Sequence, residues 1–485
     1  MHIIFAASEI VPFAKTGGLA DVAGVLPKAV AAEGHQVDVF MPLYNMIHCY
    51  DHGIYPVEWL QDIPVSMGDR QVYFSVQVGK IPGANVNIYF IDAPYYFHRN
   101  AIYTNDPDEG ERFILFSRAV LETIQRQGWQ PDVIHCNDWQ TGLIPAYLAH
   151  NYAWDRNCFG NTATLMTIHN IGYQGRFDKG LIYHAELPQH EGHPGGTLEF
   201  YGSFSMLKAG LVYADIINTV SERYAVEIQT AEYGHGLEGL LSARAQDVYG
   251  VVNGIDYTIW DPATDPLIHY HYTPQQLAGK YRNKKALLKR MGLTYDENIP
   301  VIGIVSRLVT QKGFDILVEA MFNLVQQDLQ FVILGSGEYR YEEFFRVAAQ
   351  TFPHKIGLWL GFNEELAHQI AAGTDMLLIP SRYEPCGLTQ LYGLKYGTVP
   401  IVRRTGGLAD TIKDFDGKTG TGFVFDAYTA PAMMRAIFRA LKYYQDKDTW
   451  QTIMRNGMAQ DFSWEVAAKK YIYLYEQAQR NRKTG

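Results

Sequence analysis

Arg307 and Lys312 lie one short turn apart, just beyond an apolar run over residues 300–305. Two cations so placed after a strand can clamp a diphosphate and stabilise the charge that develops as it leaves. Two solvated charges at a helix entry would give the same pattern. The segment Ser381-Arg382-Tyr383-Glu384-Pro385-Cys386-Gly387-Leu388-Thr389-Gln390 also follows a strand-like run. Gly387 opens a helix whose free N–H groups suit a phosphate, which makes Glu384 an acceptor for hydroxyls or, alternatively, a helix cap. A third feature occurs twice. Lys15-Thr16-Gly17-Gly18-Leu19-Ala20-Asp21 returns as Thr405-Gly406-Gly407-Leu408-Ala409-Asp410, with Arg404 in the lysine's place. Paired glycines let backbone approach a ligand, and Lys15 can neutralise phosphate charge. Taken singly, each copy is equally an ordinary helix-opening turn.

These residues need elements to hold them. Residues 2–8 form a strand, 19–33 a helix ended by Gly34, and 36–41 a second strand, so a parallel pair with a right-handed crossover is expected. Residues 72–78 and 87–90 suggest a hairpin, and 112–126 a helix. The β-branched runs 133–135 and 164–168 end in polar residues, as central strands do where they deliver side chains to a site. Residues 177–202, rich in His, Gly and Pro, predict a long irregular segment. A basic helix over 274–291 and a strand at 300–305 restart the alternation. The expected division is an N-terminal Rossmann-like domain over 1–251, completed by an amphipathic stretch within 464–485 that packs back on it, and a second over 252–463.

Composition bounds the function. At 485 residues the chain exceeds one ordinary core, and 47% hydrophobic with 19% charged residues suits a globular protein. A net charge of −10 argues against general affinity for nucleic acid or anionic membrane, so an anionic ligand must be met by local cations. The cysteines Cys49, Cys136, Cys158 and Cys386 are scattered, which suits a reducing compartment. With no signal-like segment at the start and no apolar run of spanning length, a cytoplasmic protein is expected. Several signatures fail on spacing. Gly417-Lys418-Thr419 lacks the first glycine of a P-loop, His190 and His193 are spaced wrongly for a zinc helix, and Arg340 replaces the last glycine of a dinucleotide fingerprint at Gly335-Ser336-Gly337. The pairs Asp106/Asp108 and Asp414/Asp416 are expected to be solvated loop acids.

The assembled pattern resembles the bacterial glycogen synthases and plant starch synthases, retaining glucosyltransferases with two Rossmann-like domains facing across a cleft (GT-B). The resemblance rests on the first glycine loop, His135-Cys136-Asn137-Asp138-Trp139-Gln140, Thr167-Ile168-His169-Asn170, Ser306-Arg307-Leu308, Gln311-Lys312-Gly313, Glu384 to Gln390 and the second loop. It therefore spans nearly the whole chain.

The resemblance implies that Lys15 and the Gly17 and Gly18 amides meet the donor's phosphate and sugar, and that Arg307 and Lys312 hold the diphosphate with help from Gly387, Leu388 and Thr389. It implies that Glu384 binds the transferred glucose, that His169 lies beside the anomeric centre, and that Asp138 orders sugar or acceptor. Tyr392 occupies the position where a wider group of transferases carries a ribose-binding Glu, and Phe362 the base-facing turn where the family often has Tyr. The implied reaction passes glucose from ADP-glucose to the 4-hydroxyl of a glycogen or malto-oligosaccharide end, without cofactor or metal. Trp139, Tyr96 and Tyr173 are the aromatic candidates for the acceptor, with core packing as the alternative. UDP-glucose as donor, an epimerase, a phosphorylase and a non-catalytic glucan-binding protein are the competing readings.

Overall fold

The computed structural model describes residues 1–484, and the chain divides into two compact units. The first comprises Met1–Val220, Ala225–Gly254 and Trp464–Gly485; the second comprises Ser221–Tyr224 and Ile255–Ser463.

The first unit is built on a ten-stranded sheet. In chain order its strands begin with β1 (His2–Ala6), β2 (Gln36–Pro42), β3 (Tyr55–Pro56), β4 (Ile63–Met67), β5 (Arg70–Lys80) and β6 (Asn87–Asp92). β7 (Val133–Asn137) and β8 (Ala163–Ile168) follow. The short β9 (Arg176–Phe177), β10 (Glu199–Phe200) and β11 (Ser203–Ser205) form a separate small sheet, and β12 (Ile216–Thr219) and β13 (Val248–Gly250) complete the main one. The order is β13-β12-β8-β7-β1-β2-β6-β5-β3, with β4 paired to β5. From β13 to β6 every pairing is parallel, while β5 turns back on β6 as a hairpin. The central strands are apolar without alternation because helices cover both faces. Ile3, Ile4 and Phe5 of β1 are fully or almost fully buried.

Chain order reverses between β1 and β7: the chain winds outward through β2 and β6 on one side and through β8, β12 and β13 on the other. In an open α/β sheet, loops leaving the carboxyl ends of strands at such a reversal diverge and leave a crevice. Glu9 to Lys15 follow β1 there, and Asp138 follows β7. The terminal helix Trp464–Thr484 returns to this unit, where Tyr475 bonds buried His135 (2.9 Å), Tyr471 accepts from Asn218 (3.2 Å) and Gln479 donates to Asp132 (2.9 Å).

The second unit is a six-stranded parallel sheet of β14 (Val301–Val305), β15 (Gln330–Gly335), β16 (Ile356–Leu360), β17 (Met376–Ile379), β18 (Val399–Arg403) and β19 (Phe423–Phe425). Its order, β16-β15-β14-β17-β18-β19, reverses between β14 and β17. Arg307 follows β14 and Ser381 to Gly387 follow β17, so here too the candidate residues lie on the loops that flank the reversal. The basic helix spans Ala278–Arg290, shorter than the sequence predicts because its first turn is replaced by a bridge between Thr273 and Gln276. Among the described residues no helix is long and apolar enough to cross a membrane.

Candidate active-site residues

In the first unit, the chain leaving β1 folds back so that Glu9 meets the glycine loop. The Glu9 carboxylate is 4% exposed, and its Oε2 accepts from the Thr16 amide, the Thr16 hydroxyl (3.0 Å) and the Gly17 amide (3.1 Å). Its Oε1 accepts from the Tyr103 hydroxyl at 3.1 Å. The sequence reading missed Glu9. The signal available was a carboxylate directly after an apolar first strand and just ahead of a glycine turn. It also corrects the expected role of Gly17, whose amide is already taken by a carboxylate. Gly18 remains open: it begins the helix Gly18–Ala32, and beyond its own helix and chain neighbours no atom of the described residues lies within 4 Å of where its side chain would stand. A first-turn amide has no acceptor within its own helix. Lys15 is exposed and pairs with Asp21 at 2.6 Å.

Asp138 has φ +55, a left-handed conformation uncommon outside glycine. The turn aims its carboxylate at the end of β8, where Oδ1 accepts from the His169 amide at 2.7 Å. Burial pushes Asp138 up to about 7, opposed by the bonds from the His169 and Asn170 amides and reinforced by the charge of Glu9. His169 is held down to about 3 by burial and is therefore neutral at physiological pH. Asn137 directs its amide nitrogen to Ala6 O (3.0 Å), so its Oδ1 faces His169 Nε2 at 2.9 Å. The imidazole must then donate from Nε2, which leaves Nδ1 an acceptor.

The aromatic candidates separate. Tyr173 is 56% exposed. Trp139 is half-buried and wedged against Phe113 (5.0 Å) and Phe177 (5.5 Å). Tyr96 is 3% exposed and its hydroxyl donates to Glu111, so its burial withdraws it as a sugar platform although it borders the surface cavity beside Tyr95. Its neighbour Tyr95 is exposed and lines, with Arg70, Val72 and Tyr73, a surface cavity of about 280 Å³.

In the second unit, Lys312 donates to Glu384 Oε2 at 2.6 Å, and the Ser381 hydroxyl donates to the same oxygen at 2.9 Å. Glu384 is buried and Lys312 half-buried. Arg307 is exposed, and its guanidinium has no partner among the described residues. The Arg382 amide donates to Gln311 O (2.8 Å), which ties the loop after β14 to the loop after β17. Gly387 has φ +72, and Gln390 folds back to donate to the carbonyls of Cys386 (3.0 Å) and Gly387 (2.9 Å), setting the turn from which the helix Thr389–Lys395 starts with Leu388 as its cap. The Tyr392 ring stacks on Trp260 at 3.7 Å, and Trp260 stacks in turn on His368 at 3.6 Å. Phe362, in the loop after β16, is 86% exposed.

The second glycine loop packs on this site's backbone. A Cβ on Gly406 would stand 1.8 Å from Glu384 O and one on Gly407 2.1 Å from Cys386 O, while the Gly407 amide donates to Glu384 O at 3.1 Å. The rejected signatures have structural roles. Asp106 and Asp108 both accept from Arg99, Asp416 caps the amides of Lys418 and Thr419, and Gly335-Ser336-Gly337 lies along the chain after β14, with Leu308 N donating to Ser336 O.

Two α/β units, each presenting polar loops at its strand reversal, form a two-domain glycosyltransferase fold of the GT-B type. Residues 2–243 match the starch synthase catalytic domain, and residues 289–456 match the glycosyl transferases group 1 domain. A glycogen synthase of Koribacter versatilis is 47% identical, with 99% of each chain covered; one of Thermotoga maritima is 44% identical, also with 99% of each covered. The catalytic domain of starch synthase IV from Arabidopsis thaliana, solved bound to ADP and acarbose, superposes with a TM-score of 0.90 at 32% identity, covering 99% of both chains. The chain belongs to the glycogen synthase and starch synthase family, and it is a glycosyltransferase of glycogen and starch synthesis.

Proposed function

We propose that the enzyme transfers glucose from ADP-glucose to the non-reducing 4-hydroxyl of an α-1,4-glucan with retention of configuration. The observation that carries this reading is the second unit's charged set: exposed Arg307, without a partner among the described residues, close in the chain to a Lys312–Glu384 pair at the strand reversal. In this reading the second unit is the nucleotide-sugar domain and the first the acceptor domain. Arg307 and Lys312 hold the diphosphate, the chain at Gly387, Leu388 and Thr389 assists, and Glu384 accepts hydroxyls of the transferred glucose while sharing Lys312 with the phosphate. Phe362 supplies a face for the base, and Tyr392, backed by Trp260, lines the nucleotide side.

From the first unit, Lys15 and the Gly18 amide meet the donor's charge. His169 acts as a neutral hydrogen-bond partner through Nδ1 for a hydroxyl near the anomeric carbon, a role its burial suits better than proton donation. Asp138 orders sugar or acceptor, and Tyr173, with the accessible part of Trp139, stacks on the glucan. Departure of the diphosphate is aided by Arg307, Lys312 and Lys15. The acceptor hydroxyl attacks on the face from which the diphosphate leaves, and a diphosphate oxygen takes its proton, so configuration is retained.

The test supplies ADP-glucose and UDP-glucose separately with glycogen and measures chain extension and released nucleotide. Faster extension with ADP-glucose and matching release of ADP are expected. Absence of extension with either donor would overturn the reading, and faster extension with UDP-glucose would replace the donor.

A further inference from the structure

The least expected feature of the first unit's candidate residues is a carboxyl group already seated in the glycine loop. Glu9 receives four hydrogen bonds: from the Thr16 amide, the Thr16 hydroxyl, the Gly17 amide and the Tyr103 hydroxyl. No cation pairs with it among the described residues, so the loop itself compensates the buried carboxylate. Tyr103 is anchored behind it, its hydroxyl 2.8 Å from Ser8 Oγ, while Tyr44 donates to Ser8 O at 2.8 Å. A carboxylate this enclosed and this well bonded is a fixed part of the loop, because removing it would strand two backbone donors.

We propose that Glu9 is a positioning residue for the donor: it turns the Thr16 and Gly17 amides inward and so presents Lys15 and the Gly18 amide outward. The proposal rests on the reading that Lys15 and this loop meet the donor. Glu9 touches no substrate in this account and acts through the loop.

The experiment compares Glu9→Ala, Glu9→Gln, Lys15→Ala and the double variant Glu9→Ala/Lys15→Ala. It measures kcat, the KM for ADP-glucose, the KM for glycogen and the melting temperature. Glu9→Ala is expected to raise the ADP-glucose KM about ten-fold, the scale of one lost buried hydrogen-bond set, with the glycogen KM unchanged. Glu9→Gln should lie between it and the parent, since its amide oxygen still accepts from the two backbone amides. The double variant should fall short of the product of the single effects, because Glu9 works by presenting Lys15. A folded Glu9→Gln or Glu9→Ala enzyme with an unchanged ADP-glucose KM, alongside a Lys15→Ala enzyme in which it rises, would overturn the proposal alone. So would a lowered donor KM, which would make Glu9 a competitor for the loop's amides. An unchanged donor KM in Lys15→Ala would overturn the underlying reading of the loop and the proposal with it.

Discussion

The two glycine loops share six letters in sequence and differ in why glycine is needed. At the first, Gly17 is extended (φ −146) and Gly18 faces open space. At the second, Gly406 has φ +44, and added side chains at Gly406 and Gly407 would run into the carbonyls of Glu384 and Cys386. The first loop therefore leaves open space where a side chain would stand, which the proposed donor contact uses, and the second lets two stretches of the chain's own backbone touch. Each also has a carboxylate partner in a different sense: Glu9 takes the amides of the first, while the second supports the turn that carries Glu384. A repeated motif marks a repeated local fold, a strand passing into a helix, and leaves its use to the neighbours.

The largest effect that would break this comparison is at the second loop. Gly407→Ala should destabilise the protein by about 2 kcal/mol or more, because the Cys386 carbonyl must move, and activity should be lost with it. Thermal unfolding and an activity assay read both, and a variant with the parent's melting temperature would contradict the packing role. Lys312→Ala probes the turn that this loop supports. Turnover at saturating donor should fall about 100-fold, the scale of one lost oxyanion donor, and full turnover would remove Lys312 from the diphosphate.

A pH effect comes from the same unit as the first loop, where Asp138 titrates. Its carboxyl stands at about 7 when folded, against 3.8 ordinarily. Between those values the folded protein keeps a proton that the unfolded chain has released, so stability falls as pH rises through the window. Relative to Asp138→Asn, the parent's urea midpoint should decline from pH 4 to pH 7 and then level off. A constant difference would show that Asp138 is ionised throughout.

Much of this was legible in the sequence because strand ends announce themselves. The β-branched runs over 133–135 and 164–168 give way to polar residues, and the structure brings Asp138 and His169 together through the bond from the His169 amide to Asp138 Oδ1. The hairpin of β5 and β6 was visible in its turn residues. What escaped depended on side chains meeting across the fold. Glu9 looks like any carboxylate after a strand until the chain returns to place Thr16 and Gly17 on it. Tyr95 and Tyr96 are adjacent and alike, yet one is exposed and the other is buried with its hydroxyl on Glu111, a difference set across the fold. The stack of Tyr392 on Trp260 joins residues on separate elements, which periodicity cannot signal.

The contrast between the loops is tested most directly by Gly18→Ala. The backbone there is helical and the space is open, so the melting temperature should match the parent, while the added methyl should raise the ADP-glucose KM by about ten-fold with little change in turnover. A Gly18→Ala enzyme with both the parent's stability and the parent's ADP-glucose KM would contradict the claim that the first loop is kept clear for the donor.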